Sequence, residues 1–432
     1  LLELTKNNHF IFNSKVENEW VIQYGRCERE PLDFRNECVK TAKLIGSSTD
    51  EDINIFYSGG VDSEVVVNSF IEARVPFTCI ICDNGYNQHD ISYAIKYCNL
   101  HKLNYKIISL DAKEFWEKEL FKRAEETKCI SPQLPVIMWM VEQIDGFNIL
   151  GSAECYLSKE PDGSWVMWER EKIATWYKHY EIHNIKGAPG FFQYTPELML
   201  SFLENPIVKD AITNGEHITS YTFKPLVYHS IWEMEQRTKY DGFETIRDVD
   251  KKYRDELNEL YPNSDRIYKT EYNRLINQLA PVTIKEVDRE FVEKYKHEFE
   301  KENMSLDDNP FADDSNFVFH YCAFVRDRVA GFGILDVLKD KKSVYSHGSL
   351  TLPEFKGMGI NNLLLDYRYN ILLEKFNNPD MQVIVITPER ISGGKYQEEK
   401  FLKRGFIYNQ FKPKCSTTLT CNLKNIKYEK VS

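Results

Sequence analysis

Between residues 52 and 150, short apolar runs alternate with stretches whose apolar residues recur every three or four positions. The runs Ile53 to Tyr57, Phe77 to Cys82, Tyr105 to Leu110 and Asn148 to Leu150 predict strands. Ile91, Ala94, Ile95 and Cys98 mark one face of a helix, and Trp116, Leu120 and Ala124 mark another. Nearly continuous apolar strands separated by amphipathic helices predict an α/β domain with a parallel sheet. Upstream, apolar patches at His9 to Asn13 and Trp20 to Tyr24 read as a hairpin, followed by a helix to about Gly46, so residues 1–51 form a cap.

The α/β domain is expected to run over 52–247. Within it, Pro161-Asp-Gly163 predicts a hairpin turn between Cys155 to Glu160 and Ser164 to Glu169, which carries Trp165 and Trp168. Those rings could stack on a substrate or pack a small core. A helix is expected from Trp232, ending at Gly242 and preceded by Lys224. Residues 248–281, charged and helical in period, read as a connector bounded by Pro281. The pattern then restarts over 282–432: a strand at Val282 to Val287, a helix to about Glu302 and an acidic loop. Strands Phe317 to Val325 and Arg328 to Val337 are joined by an Arg326-Asp327 hairpin. Further elements are a strand at Val344 to Leu352, a helix at Leu363 to Phe376 and a strand at Met381 to Thr387. This second domain reads as mixed α/β.

A chain of 432 residues exceeds one compact core, in keeping with two domains. The net charge of −11 disfavours nonspecific nucleic-acid binding and favours small substrates. Ten cysteines show no disulfide or zinc framework. Cys79 and Cys82 are spaced C-x-x-C, but a strand points them to opposite faces. No run is long enough to span a membrane, so a cytoplasmic protein is expected.

The chemistry concentrates where the first strand ends, at Ser58-Gly-Gly-Val-Asp-Ser63. Gly59 and Gly60 allow a tight turn, Val61 continues the loop, and a helix expected from about Ser63 offers first amides and a dipole that favour an anion. Ser58 and Ser63 add hydroxyls, and Asp62 beside a phosphate makes sense if it holds Mg²⁺. The loop lacks the lysine of kinase and GTPase loops. The hexapeptide resembles the signature of the PP-loop, or N-type, ATP pyrophosphatases, the superfamily of asparagine synthetase. That resemblance implies ATP as a substrate with Mg²⁺, adenylylation of a substrate oxygen and release of pyrophosphate. It places Cys82 and Asp83 beside the base, where a plain strand-end turn is the alternative. Glu154 in Gly151-Ser-Ala-Glu154 falls where asparagine synthetase holds Mg²⁺, although Ala153 replaces an expected aspartate. Arg237 and Lys239 resemble the late element whose lysine reaches the phosphates. Asp62 and Glu154 are thus the candidate metal ligands. About fifty residues before Asp52 cannot contain the glutaminase of asparagine synthetase, so the amine is expected from solution or a separate glutaminase.

A second glycine turn opens a helix at Lys356-Gly-Met-Gly-Ile-Asn361 and repeats the anion-binding logic. With the preceding strands and Lys403-Arg-Gly-Phe406, it resembles the GNAT superfamily of acetyl-CoA-dependent N-acetyltransferases. The implied acetyl-CoA ligands are Lys356, Gly357, Met358, Gly359, Ile360 and Asn361. Lys356 and Asn361 depart from the family pattern, and Gly359 keeps it. Phe401 stands where many members have a proton-donating tyrosine, and Tyr396 lies too far round the helix to replace it. His347, which alternates with Ser349, is a candidate base or a buried structural histidine.

Together these features predict a bifunctional enzyme: adenylylation of a carboxylate or carbonyl for C–N bond formation, coupled to N-acyl transfer. The substrate would be an amino acid or a modified base. A binding or structural protein that keeps both folds is the alternative, on the strength of Phe401 and Ala153.

Overall fold

The structure, a computed structural model, describes residues 4–7, 10–12, 20–215, 220–235, 242–262, 267–302, 306, 316–388, 394–409 and 416–427. It divides into two compact units, Leu1–Leu279 and Ala280–Ser432.

The strands of the first unit are β1 (Phe10–Phe12), β2 (Trp20–Ile22), β3 (Ile53–Phe56), β4 (Thr78–Asp83), β5 (Tyr105–Ser109), β6 (Phe147–Leu150), β7 (Tyr156–Lys159), β8 (Trp165–Arg170), β9 (Gly187–Ala188) and β10 (Ile267–Glu271). The central sheet is parallel, in the order β5-β4-β3-β6-β9. All four residues of β3 are buried, which is why that strand reads as an unbroken apolar run. Its one polar residue, Asn54, donates to the Asp145 carbonyl at 3.0 Å and to Asn148 Oδ1 at 3.1 Å. Helices Val61–Ala73, Gln88–His101, Ala112–Thr127 and Gln133–Glu142 connect the strands. Trp116, Leu120 and Ala124 are fully buried, as their spacing predicts.

β1 and β2 pair antiparallel, with Phe10 opposite Ile22. The following helix, Phe34–Ser48, starts at Asp33, whose carboxylate caps the Asn36 N–H at 3.0 Å. It buries Phe34, Cys38, Ala42 and Ile45 and packs on Val61–Ala73. The cap is therefore part of the first unit's core.

The segment expected to be a connector also belongs to that core. Helix Arg247–Leu260 buries Tyr253 and Leu257 beside Trp116 and Phe243. β10 pairs with β8, which pairs with β7. Helix Tyr272–Leu279 buries Leu275, Ile276 and Leu279, and the Tyr272 hydroxyl donates to the Leu203 carbonyl at 2.7 Å. The many charges of this segment lie outside a narrow apolar stripe and obscure it.

Of the helix expected from Trp232 to Gly242, residues 232–235 are not helical and 236–241 lie outside the described residues; a helix at Ser220–Ile231 ends just before it. The Trp232 indole N–H donates to Glu72 at 3.1 Å, and the Arg35 guanidinium lies over its ring at 5.6 Å. Gly242, at φ 87°, starts a short 3₁₀ turn, Phe243–Ile246.

Among the described residues, the second unit forms one mixed seven-stranded sheet. Its strands are β11 (Val282–Val287), β12 (Phe317–Val325), β13 (Arg328–Val337), β14 (Ser343–Thr351), β15 (Gln382–Pro388), β16 (Ile407–Tyr408) and β17 (Ser416–Asn422), in the order β11-β12-β13-β14-β15-β17-β16. Arg326 and Asp327 take φ 51° and 62°, the left-handed pair that a two-residue hairpin turn requires. The expected single helix to Glu302 is two, Arg289–Glu293 and Lys296–Lys301. β14 and β15 run parallel and pair only from Ser343 to Tyr345. Helix Ile360–Phe376 packs on β13 through Leu364 and Arg368. No helix among the described residues is long and apolar enough to cross a membrane.

Candidate active site

The Ser58–Ser63 loop sits at the carboxyl end of β3, beside the ends of β4 and β6, where open parallel sheets bind ligands. Gly59 has φ 83°, and a Cβ there would stand 2.1 Å from the Asp90 carbonyl oxygen. Only glycine fits. Ser58 N–H donates to Ser63 Oγ at 3.2 Å, Ser63 Oγ donates to the Gly60 carbonyl at 3.0 Å, and the two hydroxyls are 3.0 Å apart. The serines, expected as donors to phosphate, thus hold the turn in shape. Gly60 takes the position before helix Val61–Ala73, and its side of the loop opens on a cavity of about 220 Å³.

Ser58, Gly60, Asp62, Ser63, Cys82 and Glu154 all line this cavity. Gly151 explains how Glu154 reaches it: a Cβ on Gly151 would lie 2.8 Å from the Ser63 Cα, so glycine lets the β6 loop close on the helix start. Ala153 is buried at φ 64°, and a Cβ on Gly190 would come within 2.7 Å of its methyl group. A carboxylate has no room at that position, so Glu154 carries the charge of this loop.

Asp62 and Glu154 converge on Lys224. Its ammonium is 2.8 Å from Asp62 Oδ1 and 3.3 Å from Glu154 Oε1. Burial works to depress the Lys224 pKa, but the two carboxylates outweigh it and hold it above the ordinary lysine value. Burial likewise pushes Glu154 up, and Lys224 and Lys172 outweigh it and hold the carboxyl below its usual range. Lys224, Lys172 and Trp176 are the site residues that sequence reasoning missed. The signal for Lys224 was a lone cation within an apolar helix. Trp176, on helix Glu171–Ile182, supplies the cavity's indole, whereas Trp165 and Trp168 lie outside it. Trp168 packs against Tyr156 and lies under the Lys269 ammonium at 4.8 Å.

Cys82 lines the cavity, and its carbonyl accepts from Asn87 Nδ2 at 2.9 Å. Burial pushes its thiol up to about 12. Asp83 turns to the Gly85 N–H at 2.9 Å and Gln88 Nε2 at 3.0 Å and does not line the cavity. Arg237 and Lys239 lie outside the described residues.

In the second unit, Gly357 and Gly359 have φ 82° and 73°, and Gly359 takes the position before helix Ile360–Phe376. A Cβ on Gly359 would meet nothing within 4 Å, so the helix start is open. The Met358 N–H donates to the Phe355 carbonyl at 3.2 Å and is spent within the turn. Met358 and Ile360 are buried, and Asn361 is half-buried with Oδ1 unpaired. Lys356 pairs with Glu302 at 2.6 Å on the surface.

His347 Nε2 is 3.3 Å from Asp336 Oδ2, and its ring stacks on Tyr345 at 4.6 Å. Its expected alternation with Ser349 is broken by a bulge between Phe332 and Ile334 on the facing strand and by Gly348 at φ 59°. Fully buried Arg368 braces this bulge, donating to the His347 carbonyl at 2.9 Å and to Ser349 Oγ at 2.7 Å. Phe401 is buried edge-on against Phe406, with ring centroids 5.2 Å apart.

No family model matches the chain, and no curated protein matches it. Among solved structures, an acetyltransferase of the GNAT family from Staphylococcus aureus Mu50 is 16% identical. The match covers 33% of this chain and 99% of that one, with a TM-score of 0.25. The ribosomal-protein-S18-alanine N-acetyltransferase from Escherichia coli is 11% identical over 32% of this chain and 90% of its own, with a TM-score of 0.25. A PaiA N-acetyltransferase from Thermoplasma acidophilum, in complex with coenzyme A, is 12% identical over 32% and 80%, with a TM-score of 0.22. Each likeness spans about a third of this chain.

Proposed function

We propose that the first unit binds MgATP at the Ser58–Ser63 loop and adenylylates a carboxylate or carbonyl oxygen. The observation that carries this reading is the convergence of two cavity-lining carboxylates, Asp62 from the first turn of helix Val61–Ala73 and Glu154 from the loop after β6, on one buried ammonium. Two carboxylates held together by a cation at a helix N-terminus form an oxygen donor set that fits Mg²⁺. Bound there by Asp62 and Glu154, Mg²⁺ would neutralise charge on the phosphates. Lys224, relieved of its two partners, would then be available to phosphate oxygens.

In the proposed reaction the substrate oxygen attacks the α-phosphorus, the bond to the β-phosphate oxygen breaks, and pyrophosphate leaves. An amine then attacks the activated carbon and AMP departs. The apolar wall, with Trp176, would hold the base, and the resemblance to asparagine synthetase assigns Lys239, outside the described residues, to the leaving pyrophosphate, where charge builds. The adenylylated substrate would be a small amino acid or a modified base, and the amine would come from solution or a separate glutaminase.

For the second unit we propose acyl transfer from acetyl-CoA to an amine, with the pyrophosphate at the Gly357–Gly359 turn and His347, oriented by Asp336, as base. The amine attacks the thioester carbon and the thiolate leaves. Buried Phe401 offers no proton to it, which favours a second reading, in which this unit binds acyl-CoA with slow turnover.

The test incubates the full chain with MgATP and a panel of carboxylic acids and follows products by mass spectrometry. AMP and pyrophosphate that depend on one acid are expected. ADP as the sole acid-dependent nucleotide would overturn the proposal.

A further inference from the structure

Away from both glycine loops, two histidines lie one turn apart near the end of helix Glu171–Ile182, with ring centroids 4.5 Å apart. His183 Nε2 is 2.7 Å from Glu126 Oε2, at the last turn of helix Ala112–Thr127. His179 Nε2 is 3.3 Å from Glu142 Oε1, at the end of helix Gln133–Glu142. The ligand atoms of Glu126, His179 and His183 lie within 4.8 Å of one another.

His179 points to an occupant. Its side chain is 1% exposed, and although its ring meets the Met138 backbone and Nε2 stands 3.3 Å from Glu142 Oε1, neither contact has the geometry of a full hydrogen bond. Leaving a buried polar atom unpaired costs about 1–3 kcal/mol, and such groups call for a partner. Glu142 Oε1, which Arg123 also holds at 2.6 Å, lies off line for His179. A metal ion would use the imidazole lone pair.

We propose that His179, His183 and Glu126 form a Zn²⁺ site that ties the end of helix Glu171–Ile182 to helix Ala112–Thr127. Two imidazoles and a carboxylate are a zinc donor set, with water at the fourth position. Tetrahedral zinc with bonds of about 2.1 Å places its ligand atoms roughly 3.4 Å apart. The three side chains need close by little more than an ångström, and His183 and Glu126 are exposed enough to do so. Arg123 stays with Glu142, which keeps its charge engaged beside the ion. Helix Glu171–Ile182 also carries Lys172 and Trp176 of the cavity, so the ion would fix that wall. Its role is structural, and it does not depend on the nucleotide reading.

The test titrates ZnCl₂ into the full chain, stripped with EDTA and free of any histidine tag. Calorimetry and thermal melting are read for the parent, His183→Gln, Glu126→Gln and Asp62→Ala. One Zn²⁺ per chain with a raised Tm is expected for the parent and for Asp62→Ala. Binding should weaken roughly tenfold or more in His183→Gln and Glu126→Gln, while their metal-free Tm stays near the parent's because both positions are exposed. No binding to the parent, or equal binding to His183→Gln and Glu126→Gln, would overturn the site.

Discussion

Lys224 Nζ lies 2.8 Å from Asp62 Oδ1 and 3.3 Å from Glu154 Oε1, so one ammonium holds two carboxylates that would otherwise repel. Removing one member of a fully buried pair costs about 3–5 kcal/mol. Here the Asp62 and Glu154 side chains are 21% and 29% exposed, so Lys224→Met should cost about 1–3 kcal/mol without divalent cations. Adding Mg²⁺ should restore most of that loss, and it should raise the variant's Tm more than the parent's, where Lys224 competes for the same oxygens. Equal Mg²⁺ shifts in parent and variant would show that the carboxylates do not take the metal.

The two glycines of the first loop should respond differently. Gly59→Ala drives a methyl into the Asp90 carbonyl at a left-handed φ, so urea denaturation should show a loss of about 2–5 kcal/mol. Gly60 has φ −80°, and its added Cβ meets only Ser58 Oγ, at 3.3 Å. Gly60→Ala should fold normally and weaken ATP binding by crowding the mouth. Equal stability losses in the two variants would contradict this geometry.

The centre of the sheet was legible in the sequence because β3 and β6 are buried on both faces, which leaves unbroken apolar runs bounded by turns. Lys224 was not, because its partners are 162 and 70 residues away and no local pattern records them. The stretch after Asp248 misled for another reason. Its charges outnumber the few residues that fix it to the core, Tyr253 and Leu257 on one helix and Leu275, Ile276 and Leu279 on the next. Trp165 and Trp168 drew attention as a pair, whereas the indole at the cavity, Trp176, belongs to the next helix and has no neighbour in sequence to mark it. In the second unit, the bulge that turns His347 towards Asp336 rests on Gly348 and Arg368, residues separate in sequence and joined only by the fold.

Cys82 reports on the cavity. Its thiol, pushed up to about 12 by burial, is almost wholly protonated at neutral pH and should react slowly with iodoacetamide. The rate should rise about tenfold per pH unit below that value, since the thiolate is the nucleophile. MgATP should slow the reaction further if the base lies against Cys82. Peptide mapping at two pH values, with and without MgATP, reads both effects. Rapid modification at pH 7 or an absence of protection would remove Cys82 from the base-binding wall.

Gly359 separates anion binding from folding in the second unit. It sits at φ 73° just before helix Ile360–Phe376, and a side chain there would project into open space. Gly359→Leu should therefore cost only the left-handed strain, about 1–2 kcal/mol, yet its bulk would cover amides at the helix start that have no intrahelical acceptor. Calorimetry on the full chain should show acetyl-CoA binding to the parent and none to the variant, with a modest fall in Tm. Gly163→Leu is the control, because it imposes similar strain at φ 87° in an open hairpin turn of the first unit. That variant should lose comparable stability and keep acetyl-CoA binding. If Gly359→Leu binds as well as the parent, the pyrophosphate does not sit on this turn, and the case for acyl-CoA chemistry in the second unit falls with it.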